Sequence, residues 1–303
     1  MVKWPSEPVA GCAKTYGVNA SDPRTLGPSD PVLDGGTMIK LGIAGVCGRM
    51  GSAILTLALA DPSFTVGGGL EREGHPMLGK GLDMVVPGAS GACRVNDDPA
   101  HTINNIDVLI DFTEPASTLQ HFRLAAAQGK AMVVGTTGLS REALQEISNT
   151  AGVKAVISPN MSIGVNLMFD LVRRAASALT NDYDVEIVEM HHKWKKDAPS
   201  GTAVRLRQMV EAGRPDTTWS PVSGREGIIG ERKPEEIGVL AVRGGDMVGE
   251  HTVFFAGLGE RVEITHRAYS RENFARGALL AAKWLTNQPP GVYDMSNVLG
   301  LKS

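Results

Sequence analysis

Two histidines and three lysines stand close together in one short stretch of the chain, immediately before a helix-start signal. The stretch reads His191-His192-Lys193-Trp194-Lys195-Lys196-Asp197-Ala198-Pro199-Ser200-Gly201-Thr202-Ala203 and is called the basic loop below. Ser200 is a good N-cap residue, and apolar residues follow it at helical spacing. The first N–H groups of a helix have no partner within the helix and favour an anion. The basic loop therefore predicts a site for a negatively charged group such as a substrate carboxylate.

A strand is expected just before the basic loop. The run from Tyr183 to Met190 alternates apolar and polar residues in its first half, which is typical of a half-buried strand. Neighbouring residues of a strand point to opposite faces of its sheet. We therefore expect His191 and His192 to face opposite ways at the end of this strand.

The composition favours an ordinary soluble globular protein with two domains. The chain has 303 residues, 42% of them hydrophobic, and a net charge of -3, which argues against a nucleic-acid-binding surface. Cys12, Cys47 and Cys93 lack pairwise spacing, so neither a metal site nor a disulfide framework is predicted. No apolar run is long enough to span a bilayer, and the N-terminus lacks the apolar centre of a signal peptide. These features predict a cytoplasmic protein.

The first part of the chain differs in character from the rest. Residues 1–37 have no periodicity and contain turn-forming residues throughout. Such a segment is predicted to be a flexible extension. The folded part is expected to begin at Met38.

A glycine turn follows the first apolar strand. The strand pattern from Ile39 leads into Gly45-Val46-Cys47-Gly48-Arg49-Met50-Gly51, and a helical pattern follows. Strand, glycine turn and helix form the opening unit of a dinucleotide-binding fold. The spacing is G-x-x-G-x-x-G, with Cys47 where a middle glycine would be expected. A purely structural turn is the alternative interpretation of this motif alone.

An acidic and a basic residue directly follow the second strand. The strand runs from Phe64 to Leu70 and is followed by Glu71 and Arg72. An acidic residue at this position binds ribose hydroxyls, whereas an arginine can accept a ribose phosphate. The pair is thus compatible with NADH and with NADPH. A solvated surface turn remains the other interpretation.

Three further apolar strands end in small or polar residues, with helical patterns between them. This alternation predicts an α/β fold, a Rossmann-type doubly wound parallel sheet, with ligands at the carboxyl ends of the strands. The turns at those ends are Phe112-Thr113, Gly135 to Thr137, and Ser158 to Met161. Three such turns at successive strand ends favour a cofactor-binding edge over tight packing alone.

The chain then changes to a region in which strands are grouped together with few helices. This predicts a second, smaller α+β domain on a mixed or antiparallel sheet. A final helix, with Ser270 as its cap and running from Arg271 to Leu285, could pack back on the first domain. We predict a dinucleotide-binding domain of residues 38–162 plus 271–303 and a substrate-binding domain of residues 163–270.

Together these motifs resemble the dihydrodipicolinate reductase family, also called 4-hydroxy-tetrahydrodipicolinate reductases, of the lysine and diaminopimelate pathway. The resemblance runs from about Met38 to Leu301 and is most specific in the basic loop, where the two histidines, a lysine and D-A-P-S-G-T are all present. The family also tolerates a non-glycine residue at the position of Cys47. Residues 1–37 match nothing in it.

The resemblance implies reduction of a cyclic dicarboxylate imine to tetrahydrodipicolinate by NADH or NADPH. It assigns His191 and Lys195 as the catalytic pair, and His192, Gly201 and Thr202 as ligands of a substrate carboxylate. It also implies a homotetramer built through the sheet of the smaller domain, which would make residues 163–270 an oligomerisation domain as well. The cofactor-binding residues that it implies are Gly45, Gly48, Arg49, Met50, Glu71, Arg72, Phe112, Gly135, Thr136, Thr137, Ser158, Asn160, Met161 and Arg271.

Three other kinds of protein are weighed against this interpretation. A dehydrogenase acting on aspartate semialdehyde would need an activated cysteine in the second domain, and no cysteine follows Cys93. A zinc hydrolase would need ligands at a spacing that His191, His192, His251 and His266 do not offer. A dinucleotide-sensing module without chemistry would leave the basic loop unexplained.

Overall fold

The computed structural model describes residues 38–301, so the predicted extension of residues 1–37 lies outside the described residues. The strands are β1 Ile39–Ala44, β2 Phe64–Leu70, β3 Val95–Asn96, β4 Val108–Asp111, β5 Ala131–Val134, β6 Lys154–Ile157, β7 Asp184–His191, β8 Ser220–Val222, β9 Glu236–Arg243, β10 Gly249–Ala256, β11 Arg261–Ala268 and β12 Gly291–Tyr293. The helices are α1 Arg49–Leu59, α2 Pro99–Asn104, α3 Pro115–Ala127, α4 Arg141–Asn149, α5 Ile163–Ala178, α6 Gly201–Gly213, α7 Glu272–Thr286 and α8 Met295–Val298.

The first sheet has seven strands in the order β12-β6-β5-β4-β1-β2-β3, and every neighbouring pair is parallel. Its central strands β4 and β5 are buried along their whole length, as expected where helices cover both faces of a parallel sheet. Apolar clusters on its two faces join it to α1 and α7 on one side and to α2, α3 and α4 on the other. The predicted Rossmann-type α/β fold is confirmed.

The second sheet has five strands in the order β11-β10-β7-β9-β8. Strand β7 pairs antiparallel with β10 and parallel with β9, so the sheet is mixed, as predicted. Helices α5 and α6 cover one face and form a third apolar cluster with it. The alternating burial of β7 places Glu189 and His191 on the helix-covered side.

Several elements were not predicted from the sequence. Strands β3, β8 and β12 have two or three residues each, which is too short to show a periodic pattern. The last helix begins one residue later than predicted, because Arg271 is its N-cap while the Ser270 hydroxyl accepts a hydrogen bond from the Glu272 N–H at 3.1 Å. Both β12 and α7 lie with the first sheet.

The last helix packs very closely on the turn that follows β6. Gly277 in α7 lies so near the chain that a Cβ atom there would overlap the carbonyl oxygen of Met161. Since backbone cannot move aside as a flexible side chain can, we expect Gly277→Ala to cost about 3 kcal/mol of unfolding free energy. The melting temperature should fall by roughly 5 to 10 °C. Calorimetry beside Gly224→Ala, which has open space around it, measures this cost, and equal melting temperatures would disprove the contact.

Both sheets belong to one compact unit that begins at Met38. Within residues 38–301, none of the helices combines the length and the apolar character that crossing a membrane requires.

Candidate active site

Most of the predicted cofactor residues lie along one edge of the first sheet, called the cofactor edge below. Parallel strands end on the same side of a sheet, and β2, β1, β4, β5 and β6 are consecutive neighbours. The turn residues just after these strands therefore line a continuous row. Those residues are Gly45, Gly48, Glu71, Arg72, Phe112, Gly135, Thr136, Thr137, Ser158, Asn160 and Met161.

The glycine turn has the geometry that a pyrophosphate needs. Gly45 has a φ of 70°, a conformation that strongly favours glycine, and Gly48 is the N-cap of α1 without a side-chain cap. Among the described residues, no acceptor pairs with the N–H groups of Arg49 and Met50 in the first turn of α1. A Cβ at Gly51 would overlap the carbonyl oxygen of Gly45, so this glycine permits close packing of helix on strand. The turn thus fits a dinucleotide at a helix N-terminus.

The acidic residue after β2 is held against the glycine turn. The Glu71 carboxylate accepts a hydrogen bond from the Cys47 N–H at 2.9 Å, while Arg72 beside it is exposed. Glu71 is therefore fixed at the position where ribose hydroxyls bind in such folds. The adjacent guanidinium has no partner within the described residues and could reach a phosphate, so the geometry is compatible with either nicotinamide cofactor.

A buried carboxylate fixes the middle of the cofactor edge. Asp111, at the end of β4, is fully buried, lies 2.7 Å from His121 Nδ1 and accepts hydrogen bonds from the Thr113 N–H (2.9 Å) and hydroxyl (2.6 Å). The hydroxyls of Thr118 and Thr136 lie 3.1 and 3.2 Å from the same carboxylate. Burial alone would raise the pKa of Asp111, but the hydrogen bonds and the charge of His121 outweigh it and lower the pKa. This network ties together the turns after β4 and β5.

The basic loop is attached to the turn between β9 and β10. The N–H of His192 donates to the Met247 carbonyl at 2.9 Å, and the N–H of Lys193 donates to the Gly245 carbonyl at 3.2 Å. His192 is half-buried and its Nδ1 has no partner among the described residues. One ring nitrogen of His192 is thus left without a hydrogen bond in this part of the chain, and its role in substrate binding stays a prediction.

His191 is held by a buried carboxylate two residues earlier on the same strand. Its Nδ1 lies 2.6 Å from Glu189, which is fully buried and also accepts two hydrogen bonds from Arg243, at 2.7 and 2.8 Å. Burial lowers the pKa of His191, although Glu189 acts to raise it. Because Nδ1 faces an ionised carboxylate, Nδ1 carries the ring proton and Nε2 is the atom that can gain or lose one. A Cβ at Gly249 would lie 3.0 Å from Nε2, so that glycine leaves space beside it.

Glu189 also connects the histidine to the start of α6. Its carboxylate accepts a hydrogen bond from the Ser200 N–H at 3.0 Å, while the Ser200 hydroxyl lies 3.0 Å from Nε2 of the buried His251. The Ser200 hydroxyl also caps α6 by accepting from the Ala203 N–H at 3.2 Å. One carboxylate thus sets the position of His191 relative to the helix N-terminus.

The tip of α6 meets the cofactor edge. Within residues 38–301, no acceptor pairs with the N–H groups of Gly201 and Thr202. The Asn160 amide, which follows β6, donates to the Thr202 hydroxyl at 3.2 Å. Residues predicted separately for cofactor and for substrate are therefore brought into direct contact.

Lys195 is paired with a neighbour in the basic loop. Its ammonium lies 2.9 Å from the Asp197 carboxylate, whose side chain is 60% exposed. The Lys195 side chain is only 20% exposed, but its partner is open to solvent, so an entering carboxylate can compete with Asp197 for the ammonium. The charge of Lys195 remains available for chemistry.

Two family models match nearly the whole described chain. The N-terminal model of dihydrodipicolinate reductase matches residues 39–161, and the C-terminal model matches residues 164–299. The chain belongs to the dihydrodipicolinate reductase family. Its relatives named 4-hydroxy-tetrahydrodipicolinate reductase include one from Syntrophobacter fumaroxidans, 49% identical over 268 residues that cover 88% of this chain and 100% of the relative. Another, from Anaeromyxobacter dehalogenans, is 51% identical over 267 residues, which cover 88% and 99%.

A solved structure of a dihydrodipicolinate reductase agrees with this membership. A dipicolinate-bound dihydrodipicolinate reductase from Paenisporosarcina sp. TG-14 has a TM-score of 0.71 and 26% identity, covering 85% of this chain and 98% of the other. An amine dehydrogenase from Mycobacterium smegmatis shares the fold alone. Its TM-score is 0.55 and its identity 13%, and the match covers 84% of this chain and 94% of the other. The family resemblance stated from the motifs is confirmed.

One predicted dihydrodipicolinate reductase site residue is not joined to the others. Arg271 is exposed at the N-terminus of α7, and its side chain makes no hydrogen bond or ion pair with the part of the chain that the structure describes. Conversely, sequence reasoning missed Glu189, Arg243, Asp111 and His121 as supporting residues of the site. Glu189 could have been found, because residues two apart on a strand share a face.

The buried His251 gives this family member a pH-dependent stability. Burial is the main cause that lowers the pKa of His251 to about 3, so the unfolded chain binds a proton that the folded chain refuses. The contribution of the neutral His251 ring to the free energy of unfolding is complete above about pH 6.5. It is lost as the pH falls, by up to about 1.4 kcal/mol per pH unit.

We expect His251→Gln to flatten the fall of the melting temperature between pH 6.5 and pH 5. Scanning calorimetry across that range measures the slope, with the exposed His101→Gln as the control. Because burial also lowers the pKa of His191 and His266, some slope should remain. An unchanged slope in His251→Gln would contradict this account of the buried ring.

Proposed function

We propose that the chain is an NADH- or NADPH-dependent oxidoreductase that reduces 4-hydroxy-tetrahydrodipicolinate to tetrahydrodipicolinate in the lysine and diaminopimelate pathway. Family membership supports the reaction, and the relatives of about half-identical sequence are named for it. The observation in the molecule that carries the proposal is the 3.2 Å hydrogen bond between Asn160 and Thr202. This hydrogen bond joins the turn after β6, at the cofactor edge, to the N-terminus of α6, which is suited to bind a carboxylate.

The substrate is a dianion, and the basic loop offers it complementary groups. One carboxylate fits the free N–H groups of Gly201 and Thr202, where the helix dipole also favours negative charge. His192 supplies a half-buried imidazole with an unpartnered nitrogen. The Paenisporosarcina relative binds dipicolinate, a planar dicarboxylate, which supports this choice of ligand.

The cofactor edge would hold the dinucleotide, which when bound supplies a hydride to the imine. The N–H groups at the start of α1 bind pyrophosphate, and Glu71 and Arg72 bind the adenosine ribose. Phe112, Gly135 to Thr137 and Ser158 to Met161 then lie on the nicotinamide side. Arg271 is proposed as a further cofactor ligand on the family resemblance, since its exposed side chain has no hydrogen-bond or ion-pair partner among residues 38–301.

Proton transfer is assigned to His191 and charge stabilisation to Lys195. The 4-hydroxyl group of the substrate must leave as water, which gives the conjugated imine. Reduction of that imine develops negative charge on its nitrogen side, so a proton donor there lowers the barrier. In the free protein His191 has a lowered pKa, and a bound dianion would raise that pKa and load Nε2 with a proton. The Lys195 ammonium would stabilise the developing negative charge after exchanging Asp197 for substrate.

The reaction is tested by following the absorbance of the reduced nicotinamide. Adding freshly made 4-hydroxy-tetrahydrodipicolinate to the full chain with NADH or NADPH should cause a steady loss of absorbance that depends on enzyme concentration. Binding of both compounds without turnover would instead favour a dinucleotide-sensing module. That outcome would refute the proposed function.

The choice between cofactors can be traced to Arg72. Since its guanidinium is exposed beside the ribose position, Arg72→Ala should lower kcat/KM for NADPH about tenfold, the loss of one charge-assisted phosphate contact. The value for NADH should stay within about twofold, because that cofactor lacks the phosphate. Steady-state kinetics with each cofactor make the comparison, and equal losses for both would show that Arg72 does not contact the phosphate.

A homotetramer is proposed through the uncovered face of the second sheet. Strands β7, β9 and β10 present half-buried apolar side chains on the face opposite α5 and α6, among them Val188, Phe254 and the 43% exposed Val242. Apolar residues on an uncovered sheet face are typical of an oligomer interface. Residues 163–270 would then serve both substrate binding and assembly, beside a dinucleotide-binding domain of residues 38–162 plus 271–303. Light scattering of the full chain should give four times the mass of one chain.

A further inference from the structure

A cysteine, a glutamate and a histidine converge beside the glycine turn, although they come from separate turns of the chain. Cys47 lies in the glycine turn after β1, Glu71 follows β2, and His75 stands four residues later. One possible metal-ligand atom from each lies within 4.8 Å of the other two. All three residues are half-buried. Within residues 38–301 this is the only group of three such side chains that comes so close together.

The distances between the three possible ligand atoms are close to those between the ligands of a bound metal ion. With Zn–S bonds of about 2.3 Å and Zn–N or Zn–O bonds of about 2.0 to 2.2 Å, ligand atoms in a tetrahedral zinc site are about 3.5 Å apart. Because the ligand atoms are no more than 4.8 Å apart, contracting the group needs movements of at most about 1 Å, which side-chain rotation can supply. His75 is already oriented, because its Nδ1 accepts a hydrogen bond from the Met77 N–H at 3.2 Å.

The charges of the group favour a cation. Glu71 has no ion-pair partner among the described residues. Its carboxylate accepts a hydrogen bond from the Cys47 N–H at 2.9 Å and interacts with the Cys47 thiol, which leaves carboxylate lone pairs for a ligand.

We propose that Cys47, Glu71 and His75 bind one thiophilic divalent cation such as Zn²⁺, and that this cation and the dinucleotide exclude each other. Binding forms a Zn–S bond and releases the thiol proton to solvent. Softness selects the ion, because a thiolate and an imidazole suit Zn²⁺ better than Mg²⁺ or Ca²⁺. The exclusion rests on the proposed function, in which Glu71 binds the ribose and cannot hold a metal at the same time.

The site is tested by equilibrium dialysis of the full chain against Zn²⁺ after treatment with a chelator, with bound metal measured by elemental analysis. The wild-type chain should bind one Zn²⁺. Cys47→Ser and His75→Gln should each weaken binding at least tenfold, whereas Cys93→Ser, at the other described free cysteine, should leave it unchanged. Binding by Cys47→Ser or His75→Gln as tight as that of the wild-type chain would overturn the site.

The exclusion is tested by repeating the dialysis with saturating NADH, after NADH binding to the metal-free chain has been measured by fluorescence. NADH should weaken Zn²⁺ binding at least tenfold, and Zn²⁺ should weaken NADH binding by the same factor. Simultaneous tight binding of both would overturn the exclusion. Zn²⁺ binding that depends on Cys47 in a chain that does not reduce the imine would refute the proposed function alone, while normal turnover without Zn²⁺ binding would refute the metal site alone.

Discussion

Lys195→Ala and His191→Ala should each lower kcat by on the order of a hundredfold or more while the fold stays intact. Lys195 loses the cation that opposes the developing negative charge, and His191 loses the proton that the reduced ring must receive. Neither side chain belongs to an apolar cluster of the core, so both variants should still fold. His191→Ala should lower the melting temperature, because it removes one partner of the buried Glu189 carboxylate. Steady-state kinetics and thermal melts of the two variants provide the measurement.

The basic loop contains a matched control for this prediction. Lys196 is the next residue and is exposed, so Lys196→Ala removes the same charge one position away from the assigned site. We expect its kcat to remain within about twofold of the wild-type value, because an exposed charge is screened by solvent. Near-normal turnover by Lys195→Ala or His191→Ala would contradict the catalytic assignment. If Lys196→Ala lowered kcat as much as Lys195→Ala does, the effect of Lys195 would be one of general charge and not of a specific contact.

Glu189→Gln should lower kcat by roughly ten- to a hundredfold, although Glu189 itself does not contact the substrate in this account. Glu189 acts as a positioning residue, because it holds His191 Nδ1 at 2.6 Å and the Ser200 N–H at 3.0 Å. It also raises the pKa of His191, so its removal leaves that pKa lower still. The alkaline fall of kcat/KM, where His191 loses its proton, should therefore move to lower pH.

The pH profile distinguishes this role from a purely structural one. Glu186, three residues earlier on β7, forms a comparable ion cluster with Arg225 and Arg232 at 2.9 and 3.0 Å. Glu186→Gln should lower the melting temperature without moving the pH profile. If Glu189→Gln kept the wild-type profile and lost only stability, the carboxylate would be a structural support and not a positioning group.

Much of the fold and site could be predicted because their signals are local. A glycine turn, a strand that ends in Glu71 and Arg72, and a capped helix after a basic loop are each contained in a few consecutive residues. The parallel order of the sheet then follows from the alternation of strands and helices. Each of these predictions uses chemistry that is visible within one window of sequence.

The parts that could not be predicted depend on the register of strands. Strands β7 and β9 pair in parallel with Arg243 opposite His191, and this register brings the Arg243 side chain to Glu189. Arg243 and Glu189 are 54 residues apart in the sequence. His121 reaches Asp111 because α3 packs on the sheet with that ring turned inward. Single-sequence patterns carry no information on either arrangement, since periodicity identifies a buried face without identifying its partner.

The position of a bound dicarboxylate tests the central claim most directly. A crystal structure of the full chain with a reduced or oxidised nicotinamide cofactor and pyridine-2,6-dicarboxylate would show it. We predict one carboxylate within hydrogen-bond distance, about 2.7 to 3.2 Å, of the Gly201 and Thr202 N–H groups, with the Lys195 ammonium turned from Asp197 toward the ligand. A dicarboxylate bound away from the α6 tip, with Lys195 still paired to Asp197, would contradict the account.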